Sequence, residues 1–377
     1  MKVLFLENNL NGHSGTPKVL IEIASAFKRH GDDVDIIYFS VSKDAKNIIN
    51  LLKDFNYKII ENKKFFSYYI QYLVIKLFEK GAFNENDIFG IFNQLKIRKE
   101  LKLKKYDLII AINIFSAFSF IFLERNCCKK IIYLHEAPLF SELFWPIRKI
   151  LRFYVKLIIK KSTAAISISR EIYEKSLKAG FETKYLTINY FKNENKGFIK
   201  KENIVLLDSR WTDNRNIFFS LKIIQYLKDL KFIIAGYFPN INDKIKYMNK
   251  INELNLNERI YIIENYSEKE LDALYKKAKY VLRWSGRDES GPSLSIRKAI
   301  SNFVIPIIND KLGDKDIIKN NISEELVVPL DEEKFIEIIE KIEGNPEFYI
   351  NLLQRIENLI KAQNWDKYVD DLLSIIG

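Results

Sequence analysis

Residues 280–299 read YVLRWSGRDESGPSLSIRKA, which is an apolar run followed by a polar loop and then by a helical pattern. The apolar run predicts a buried strand, and we expect the helix to open at about Pro292. The first N–H groups of a helix have no partner within the helix, and the helix dipole adds positive potential beside them. Such a loop is therefore typical of a phosphate-binding site in a parallel α/β domain. The candidate ligand-binding residues of this loop are Glu289, Gly291, Pro292, Ser293 and Leu294.

The position of Glu289 allows two interpretations. Its carboxylate can accept hydrogen bonds from sugar hydroxyls, which would make it part of a ligand site. An acidic residue just before a helix also stabilises that helix, by a few tenths of a kcal/mol to about 1 kcal/mol. Position alone favours neither interpretation.

The composition is that of a folded protein with more than one domain. A chain of 377 residues that is 47% hydrophobic can build two hydrophobic cores. Its 60 Lys and Arg residues exceed its 49 Asp and Glu residues, which gives a formal net charge of +11. This excess is compatible with nucleic acid, an anionic membrane surface or an anionic substrate as partner. Because the sequence has no RRM, KH, zinc or helix-turn-helix signature, we expect no nucleic-acid partner.

Two adjacent cysteines, Cys127 and Cys128, are the only ones in the chain. Neighbouring cysteines form no ordinary structural disulfide and lack zinc-binding spacing, so we expect a reducing compartment and no bound metal. The N-terminus becomes polar too early for a signal peptide, and no run of about 18 apolar residues follows. These features predict a cytoplasmic protein, at most peripheral on the inner face of the plasma membrane.

Strand-like and helical patterns alternate along the whole chain, as in parallel sheets made from βαβ units. The predicted strands lie at 2–7, 34–40, 57–61, 107–113, 130–135, 163–168, 184–189, 203–208, 231–236, 258–263, 279–283, 303–308 and 326–328. The predicted helices lie at 15–30, 66–80, 91–104, 146–161, 214–227, 243–254, 267–277, 292–301, 331–342, 346–362 and from residue 365.

A polar segment at 192–202 separates two runs of this pattern. We therefore predict the α/β fold class, with two tandem, doubly wound, Rossmann-like domains at 1–192 and 203–362. Ligands of such sheets bind beyond the carboxyl ends of the strands, so two facing domains would place a cleft between them.

Three side chains that follow predicted strands suit ligand binding. His135 is followed by Glu136, and its near-neutral pKa suits proton transfer or a hydrogen bond to a hydroxyl. Arg210 follows a predicted strand and Arg215 lies five residues on, at the entry to a helix, so two guanidinium groups around one loop can clamp a diphosphate. The alternatives are a structural histidine and a solvated arginine pair.

Residues 11–18, NGHSGTPK, connect the first predicted strand to the first helix. Gly12 and Gly15 would allow the backbone to approach a ligand closely, and Ser14 or Thr16 can cap the helix. The segment is neither a GxGxxG nor a Walker A motif, so a plain strand-to-helix turn is the alternative.

The segment 144–161 predicts a basic amphipathic helix, in which Arg148, Arg152 and Lys156 run along the edge of an apolar stripe. Helices of this kind can lie on anionic membranes. The alternative is an ordinary core-facing helix with a solvated basic face. A second, very aromatic segment at 65–78 is either another membrane-facing patch or part of the core.

Taken in order along the chain, these motifs resemble those of the retaining glycosyltransferases of family four, which have the GT-B fold. The resemblance covers essentially the whole chain. The matching segments are the Gly-rich turn from Gly12 to Lys18, the strand end His135-Glu136, Ser209-Arg210 and Arg215-Asn216 at the start of the second domain, the strand 229–236 with its terminal Gly, the helix 268–275 and the closing Trp365-Asp366.

One departure from the family concerns a pair of glutamates eight positions apart. The first corresponds to Glu289, but Arg297 stands eight positions further on, and alignment through Ala299 puts Lys298 there instead. In the family the second glutamate holds the ribose hydroxyls of the donor, whereas a cation suits phosphate better. Asn302 also stands where the family usually has Gly.

The resemblance implies a GT-B enzyme that transfers a sugar, with retention and without a metal or other cofactor, from a nucleotide sugar to a cell-envelope glycan or lipid-linked acceptor. It implies a C-terminal helix, 363–377, that returns to the first domain. The implied catalytic residues are His135, Glu289, Arg210 and Arg215, and the donor-binding residues add Gly15, Gly291, Pro292, Ser293, Leu294 and Lys298. The alternative is a non-catalytic GT-B subunit that scaffolds or activates a partner glycosyltransferase.

Overall fold

A computed structural model describes residues 1–10, 15–41, 45–60, 93–94, 105–123, 128–139, 145–192, 201–264 and 266–377. These residues divide into two compact units. The first unit comprises Met1–Thr187 together with Asp366–Gly377, and the second comprises Ile188–Trp365. The helix expected at 66–80, nearly all of the helix expected at 91–104 and the aromatic segment 65–78 lie outside the described residues.

The first unit contains a seven-stranded parallel sheet with the order β3-β2-β1-β4-β5-β6-β7. Its strands are β1 Lys2–Glu7, β2 Asp33–Tyr38, β3 Asn56–Ile59, β4 Leu108–Ala111, β5 Lys129–Leu134, β6 Ala164–Ser167 and β7 Lys184–Tyr185. Its helices are α1 Gly15–Arg29, α2 Lys46–Ile49, α3 Trp145–Lys161 and α4 Arg170–Lys178. The central strands are buried along nearly their whole length, which explains their almost continuous apolar sequences.

The second unit contains a six-stranded parallel sheet with the order β10-β9-β8-β11-β12-β13. Its strands are β8 Ile204–Arg210, β9 Lys231–Tyr237, β10 Ile260–Ile263, β11 Tyr280–Arg283, β12 Ile305–Asn309 and β13 Val327–Val328. Its helices are α5 Ser220–Tyr226, α6 Ile241–Glu253, α7 Glu268–Lys277, α8 Leu294–Ser301, α9 Lys315–Asn321, α10 Glu332–Gly344 and α11 Pro346–Ala362. A last helix, α12, spans Trp365–Ile376.

Both sheets reverse their strand order beside the first strand, between β1 and β4 and between β8 and β11. Such a reversal opens a crevice at the carboxyl ends of the two strands, where ligands of doubly wound sheets bind. The predicted α/β class with two parallel sheets is confirmed. Within the first unit, Tyr368 of α12 is fully buried and its hydroxyl contacts that of Tyr133 on β5.

The largest local difference from the predicted elements follows β8. One helix was expected at 214–227, but the chain forms two 3₁₀ turns, Asp213–Arg215 and Ile217–Phe219, before α5. Asn216 between the turns has a non-helical backbone, with φ −46° and ψ 107°, and its side chain accepts a hydrogen bond from the N–H of Phe218. This local bond competes with helix continuation, as is usual for Asn. The break leaves Arg215 on a short turn.

Smaller differences affect the ends of elements. Helix α8 begins at Leu294 rather than Pro292, and β7 has two residues instead of six. Helices α4 and α9 lie between predicted strands where the sequence pattern assigned no helix.

Candidate functional site

The candidate site lies in the second unit, at the carboxyl ends of β8 and β11. Arg215, on the turn after β8, forms a forked ion pair with Glu289, in the loop after β11. Its Nε donates to Oε1 of Glu289 at 2.9 Å, and its Nη2 donates to Oε2 at 2.8 Å. Both side chains are about one-fifth exposed. The structure thus brings together two side chains that are 74 positions apart and were predicted separately.

A second arginine, Arg283, joins this pair from the end of β11. Its Nη2 lies 3.4 Å from Oε2 of Glu289, and its Nη1 donates to Oγ of Ser295 at 3.0 Å and to the carbonyl of Asp208 at 3.5 Å. The guanidinium is buried, and its Nε makes no hydrogen bond to any described residue. Burial lowers the pKa of Arg283, and the nearby Arg215 lowers it further.

The loop that carries Glu289 is fixed by the segment after β12. The backbone N–H of Glu289 donates to the carbonyl of Lys311 at 2.8 Å. Buried Asn309 accepts a hydrogen bond from the N–H of Ser285 at 3.0 Å and donates to the carbonyl of Ser285 at 2.9 Å. At Gly313, a Cβ would lie only 2.7 Å from the carbonyl of Gly291, so glycine allows the two loops to touch. These contacts hold the carboxylate on a rigid support.

The start of α8 is held by Asp314, a buried residue that precedes α9. Both carboxylate oxygens of Asp314 accept the N–H of Ser293, at 3.0 Å each. Burial raises the pKa of Asp314 to about 7, although the Ser293 N–H, Arg283 and Arg297 all favour the ionised form. Because Asp314 occupies the N–H of Ser293, the N–H groups that remain for a ligand are those of the first helical turn, from Leu294 onward.

Opposing effects set the ionisation of Glu289. Burial would raise the pKa of its carboxyl, but the hydrogen bond from Arg215 and the charges of Arg283 and Arg215 outweigh burial and lower it. Glu289 is therefore ionised at neutral pH, and it lies between two cations. A forked arginine is well suited to phosphate as well as to carboxylate, so an anionic ligand can compete with Glu289 for Arg215.

Arg210 ends β8 with an exposed side chain, and it pairs in register with Tyr237 of β9. The neighbouring pair, Ser209 and Gly236, explains the glycine at this point. Gly236 has φ +141°, and a Cβ there would lie 1.8 Å from the carbonyl oxygen of Ser209. The predicted strand-terminal glycine is thus required by close packing of β8 and β9. No contact joins Arg210 to Glu289 within the described part of the chain.

The two basic residues on α8 occupy different environments. The amine of Lys298 donates to Glu268 at 2.6 Å and to Asp272 at 2.8 Å, both on α7. Burial would lower the pKa of Lys298, but these two carboxylates raise it. Arg297 is buried, donates to the carbonyl of Ile188 at 3.3 Å and lies over the Trp365 ring. A donor-binding role for Lys298 stays a prediction, since its charge is balanced by α7.

The remaining predicted residues belong to the first unit. His135 directly follows β5 and is half-buried, and Glu136 is exposed. Gly15 is the first residue of α1. The rest of the Gly-rich segment, residues 11–14, lies outside the described residues. These residues are placed at the carboxyl side of the sheet, and their roles stay predictions.

Two members of the candidate site in the second unit, Arg283 and Asp314, were not predicted from the sequence. Arg283 closes an apolar strand, and a charged residue at the carboxyl end of a parallel strand was the signal that could have identified it. Asp314 lies 21 positions after Ser293, whose N–H it binds, and no local sequence pattern predicts this contact.

The two doubly wound parallel sheets are the architecture of the GT-B fold. Residues 190–363 match the family model for glycosyl transferases group 1. This range is nearly all of the second unit. The resemblance to GT-B glycosyltransferases drawn from the sequence is thereby confirmed.

Solved structures show the same fold along the whole chain. HepE from Anabaena in complex with UDP has a TM-score of 0.73 and 14% identity, covering 99% of this chain and 100% of that chain. A glycosyltransferase from Rickettsia africae has a TM-score of 0.72 and 16% identity, covering 100% and 97%. WaaB, a lipopolysaccharide outer core galactosyltransferase, has a TM-score of 0.67 and 16% identity, covering 99% of both chains. No curated protein sequence matches the chain.

Proposed function

We propose that this protein transfers a sugar from a nucleotide-sugar donor to a cell-envelope glycan or lipid-linked acceptor. The observation that carries the proposal is the cluster of Arg215, Arg283 and Glu289 at the carboxyl ends of β8 and β11, beside the first turn of α8. Two guanidinium groups share one carboxylate, so a diphosphate can take one of them as its partner. The complexes of HepE with UDP and with UDP-glucose support a donor of this class.

In the proposed mechanism the unit that contains α8 binds the donor. Arg215 and Arg210 stabilise the negative charge that develops on the diphosphate leaving group, with help from the N–H groups that open α8. Glu289 accepts hydrogen bonds from the donor sugar. The family resemblance further implies a contact between His135 and the sugar or the acceptor. Retention of configuration, a hexosyl donor and independence from metals are parts of this proposal that come from the family resemblance.

Turnover of a donor tests the proposal directly. The purified protein is incubated with UDP-, GDP-, CDP-, ADP- and TDP-sugars, and release of the nucleoside diphosphate is followed with and without membrane extract as acceptor source. We expect one donor to be consumed, and Arg215→Ala to abolish its consumption. Arg170→Ala is the matched control, because Arg170 forms an exposed ion pair with Glu174 within α4 of the other unit.

A non-catalytic subunit is the second candidate, and the observation that favours it is Arg297. The resemblance places a carboxylate for the ribose of the donor at Arg297 or Lys298, and either residue is a base. Arg297 is a buried guanidinium that donates to the carbonyl of Ile188. Donor binding without turnover, together with stimulation of a partner glycosyltransferase, would support this candidate. Turnover by the isolated chain would exclude it.

We further propose peripheral contact with an anionic membrane through residues 144–161. Among the described residues of this segment, Trp145, Ile150 and Phe153 on α3 are 56%, 66% and 70% exposed. Lys149 lies over the Trp145 ring, 3.9 Å from its centroid. The helix carries six basic residues and no acidic one. Exposed apolar side chains among lysines are typical of helices that lie at a lipid interface.

Three lysines of α3 support contact with lipid headgroups. Lys149, Lys156 and Lys160 are exposed, and no carboxylate of the described residues forms an ion pair with them. Their charge therefore remains available to anionic headgroups, each contributing on the order of 1 kcal/mol near such a surface. No helix in the described part of the chain is long and apolar enough to cross a bilayer. Contact at the inner, cytoplasmic face of the plasma membrane is the form of association that we propose.

A further inference from the structure

Glu289 has two arginine partners that are held in very different ways. Arg215 lies on a three-residue 3₁₀ turn and donates hydrogen bonds to both carboxylate oxygens of Glu289, at 2.9 and 2.8 Å. The side chain of Arg215 is 22% exposed. Arg283 lies 3.4 Å from one oxygen, at the end of a buried strand, and its side chain is 10% exposed. The stronger contact thus comes from the less constrained residue.

We propose that Arg283 is the permanent counter-ion of Glu289, which allows Arg215 to leave the carboxylate for the diphosphate of a bound donor. The inference rests on the proposed function, because it assigns a role within the same donor site. Arg283 acts through Glu289 and does not touch the donor, so it is a positioning residue.

The contacts of Arg215 are compatible with such a movement. Apart from Glu289, its guanidinium contacts only Oγ of Ser209, at 3.4 Å, among the described residues. The turn that carries it ends at Asn216, where the backbone leaves helical geometry. A long side chain on a short surface turn can change rotamer without disturbing the sheet.

The contacts of Arg283 hold its side chain beside Glu289 when Arg215 moves away. Its Nη1 donates to Ser295 in the first turn of α8 and to the carbonyl of Asp208 at the end of β8. Strand β11 lies between β8 and β12 in the middle of the sheet. Arg283 therefore links Glu289 to β8 and α8, and this link does not depend on Arg215.

A half-buried carboxylate that lost all its cationic partners would tend to take up a proton, since burial favours the neutral form. With Arg283 beside it, Glu289 remains an ionised acceptor for the hydroxyls of the donor sugar after Arg215 has moved. The other charged groups around this pair are Asp208 at the end of β8, Asp314 before α9 and Arg297 on α8. None of them contacts Glu289 in the described part of the chain.

Carboxyl-carbon NMR titration of Glu289 tests the inference without any donor. The protein is labelled at glutamate δ-carbons, and Glu289→Gln identifies the signal. Arg215→Met mimics the departure of Arg215, and Arg215→Met/Arg283→Met removes both partners. We expect the pKa of Glu289 to stay below its ordinary value in Arg215→Met. In the double variant we expect it to lie one unit or more above its value in Arg215→Met. An equal rise in both variants would overturn the inference.

Kinetics provide the second readout where a donor is turned over. We expect Arg283→Met to lower kcat at least tenfold, to change the donor KM less than threefold and to move the acid limb of the pH profile upward. Arg283→Lys keeps the positive charge, so it should have a higher kcat than Arg283→Met. It also serves as the test variant if Arg283→Met does not fold. A raised KM without a change in the pH profile would make Arg283 a phosphate ligand instead. Absence of turnover in the wild type would refute the proposed function and leave the NMR result to decide on Arg283.

Discussion

Asp314 holds the backbone N–H of Ser293 with both of its carboxylate oxygens, at 3.0 Å each, just before α8 begins. The carboxylate is fully buried and burial raises its pKa to about 7, well above the ordinary value of 3.8. The residue that fixes the start of α8 therefore has a pKa within the physiological range.

This relationship predicts a pH-dependent stability. Between pH 4 and pH 7 the folded protein keeps a proton on Asp314 that the unfolded chain has lost, so the contribution of Asp314 falls as pH rises through this window. The expected slope is at most about 1.4 kcal/mol per pH unit. Urea unfolding of wild type and Asp314→Asn at pH 5 and pH 7.5 measures it. We expect the wild type to lose stability relative to the variant as pH rises; a constant or growing difference would contradict the assignment.

Removing the carboxylate of Glu289 should separate binding from turnover. Glu289 accepts two hydrogen bonds from Arg215, so Glu289→Gln weakens this pair and makes Arg215 more available to a diphosphate. We expect UDP to bind at least as tightly as to wild type. Transfer should fall by a factor of 100 or more, because the neutral amide of Gln accepts hydrogen bonds from the donor sugar more weakly than a carboxylate does. Calorimetry and product analysis on the same preparation measure both quantities. Weakened UDP binding with unchanged transfer would show that the carboxylate serves neither purpose.

Gly236 is expected to tolerate no side chain. A Cβ at this position would lie 1.8 Å from the carbonyl of Ser209, in addition to the cost of φ +141°. Gly236→Ala should therefore destabilise the second unit by about 3 kcal/mol or more. Gly180→Ala is the control, because Gly180 also has positive φ but no atom lies within 4 Å of its Cβ position. That variant should lose only about 1 to 2 kcal/mol, and equal losses in both would argue against the close contact.

Phe153 is expected to contribute to membrane binding. Phe153→Ser removes the most exposed apolar side chain of α3, whose burial in lipid would be worth about 1.5 to 3 kcal/mol. Sedimentation with vesicles containing phosphatidylglycerol should show binding weakened by roughly tenfold or more.

The control for this substitution is Ile245→Ser, since Ile245 is a half-exposed apolar residue on α6 of the other unit. We expect it to bind such vesicles as the wild type does. Binding of the wild type should weaken in high salt and on vesicles of phosphatidylcholine alone. Equal loss in Phe153→Ser and Ile245→Ser, or no preference for anionic lipid, would contradict a specific role for α3.

The sequence predicted the site in part because apolar runs reveal parallel strands and the residues after them. Arg215 and Glu289 both follow such runs, and their meeting follows from the adjacency of β8 and β11. The break at Asn216 was not predicted, because a single side-chain hydrogen bond decides it against a helical pattern. The support of Ser293 by Asp314 was not predicted either, because it depends on the packing of a distant loop.

The proposed function requires that the second unit bind a nucleoside diphosphate through Arg215. Isothermal titration calorimetry of UDP, GDP, CDP, ADP and TDP with wild type, Arg215→Ala and the control Arg170→Ala measures this directly. We predict that one of these ligands binds wild type and Arg170→Ala equally, and binds Arg215→Ala at least tenfold more weakly. Absence of binding by all five, or equal affinity for Arg215→Ala, would contradict the account.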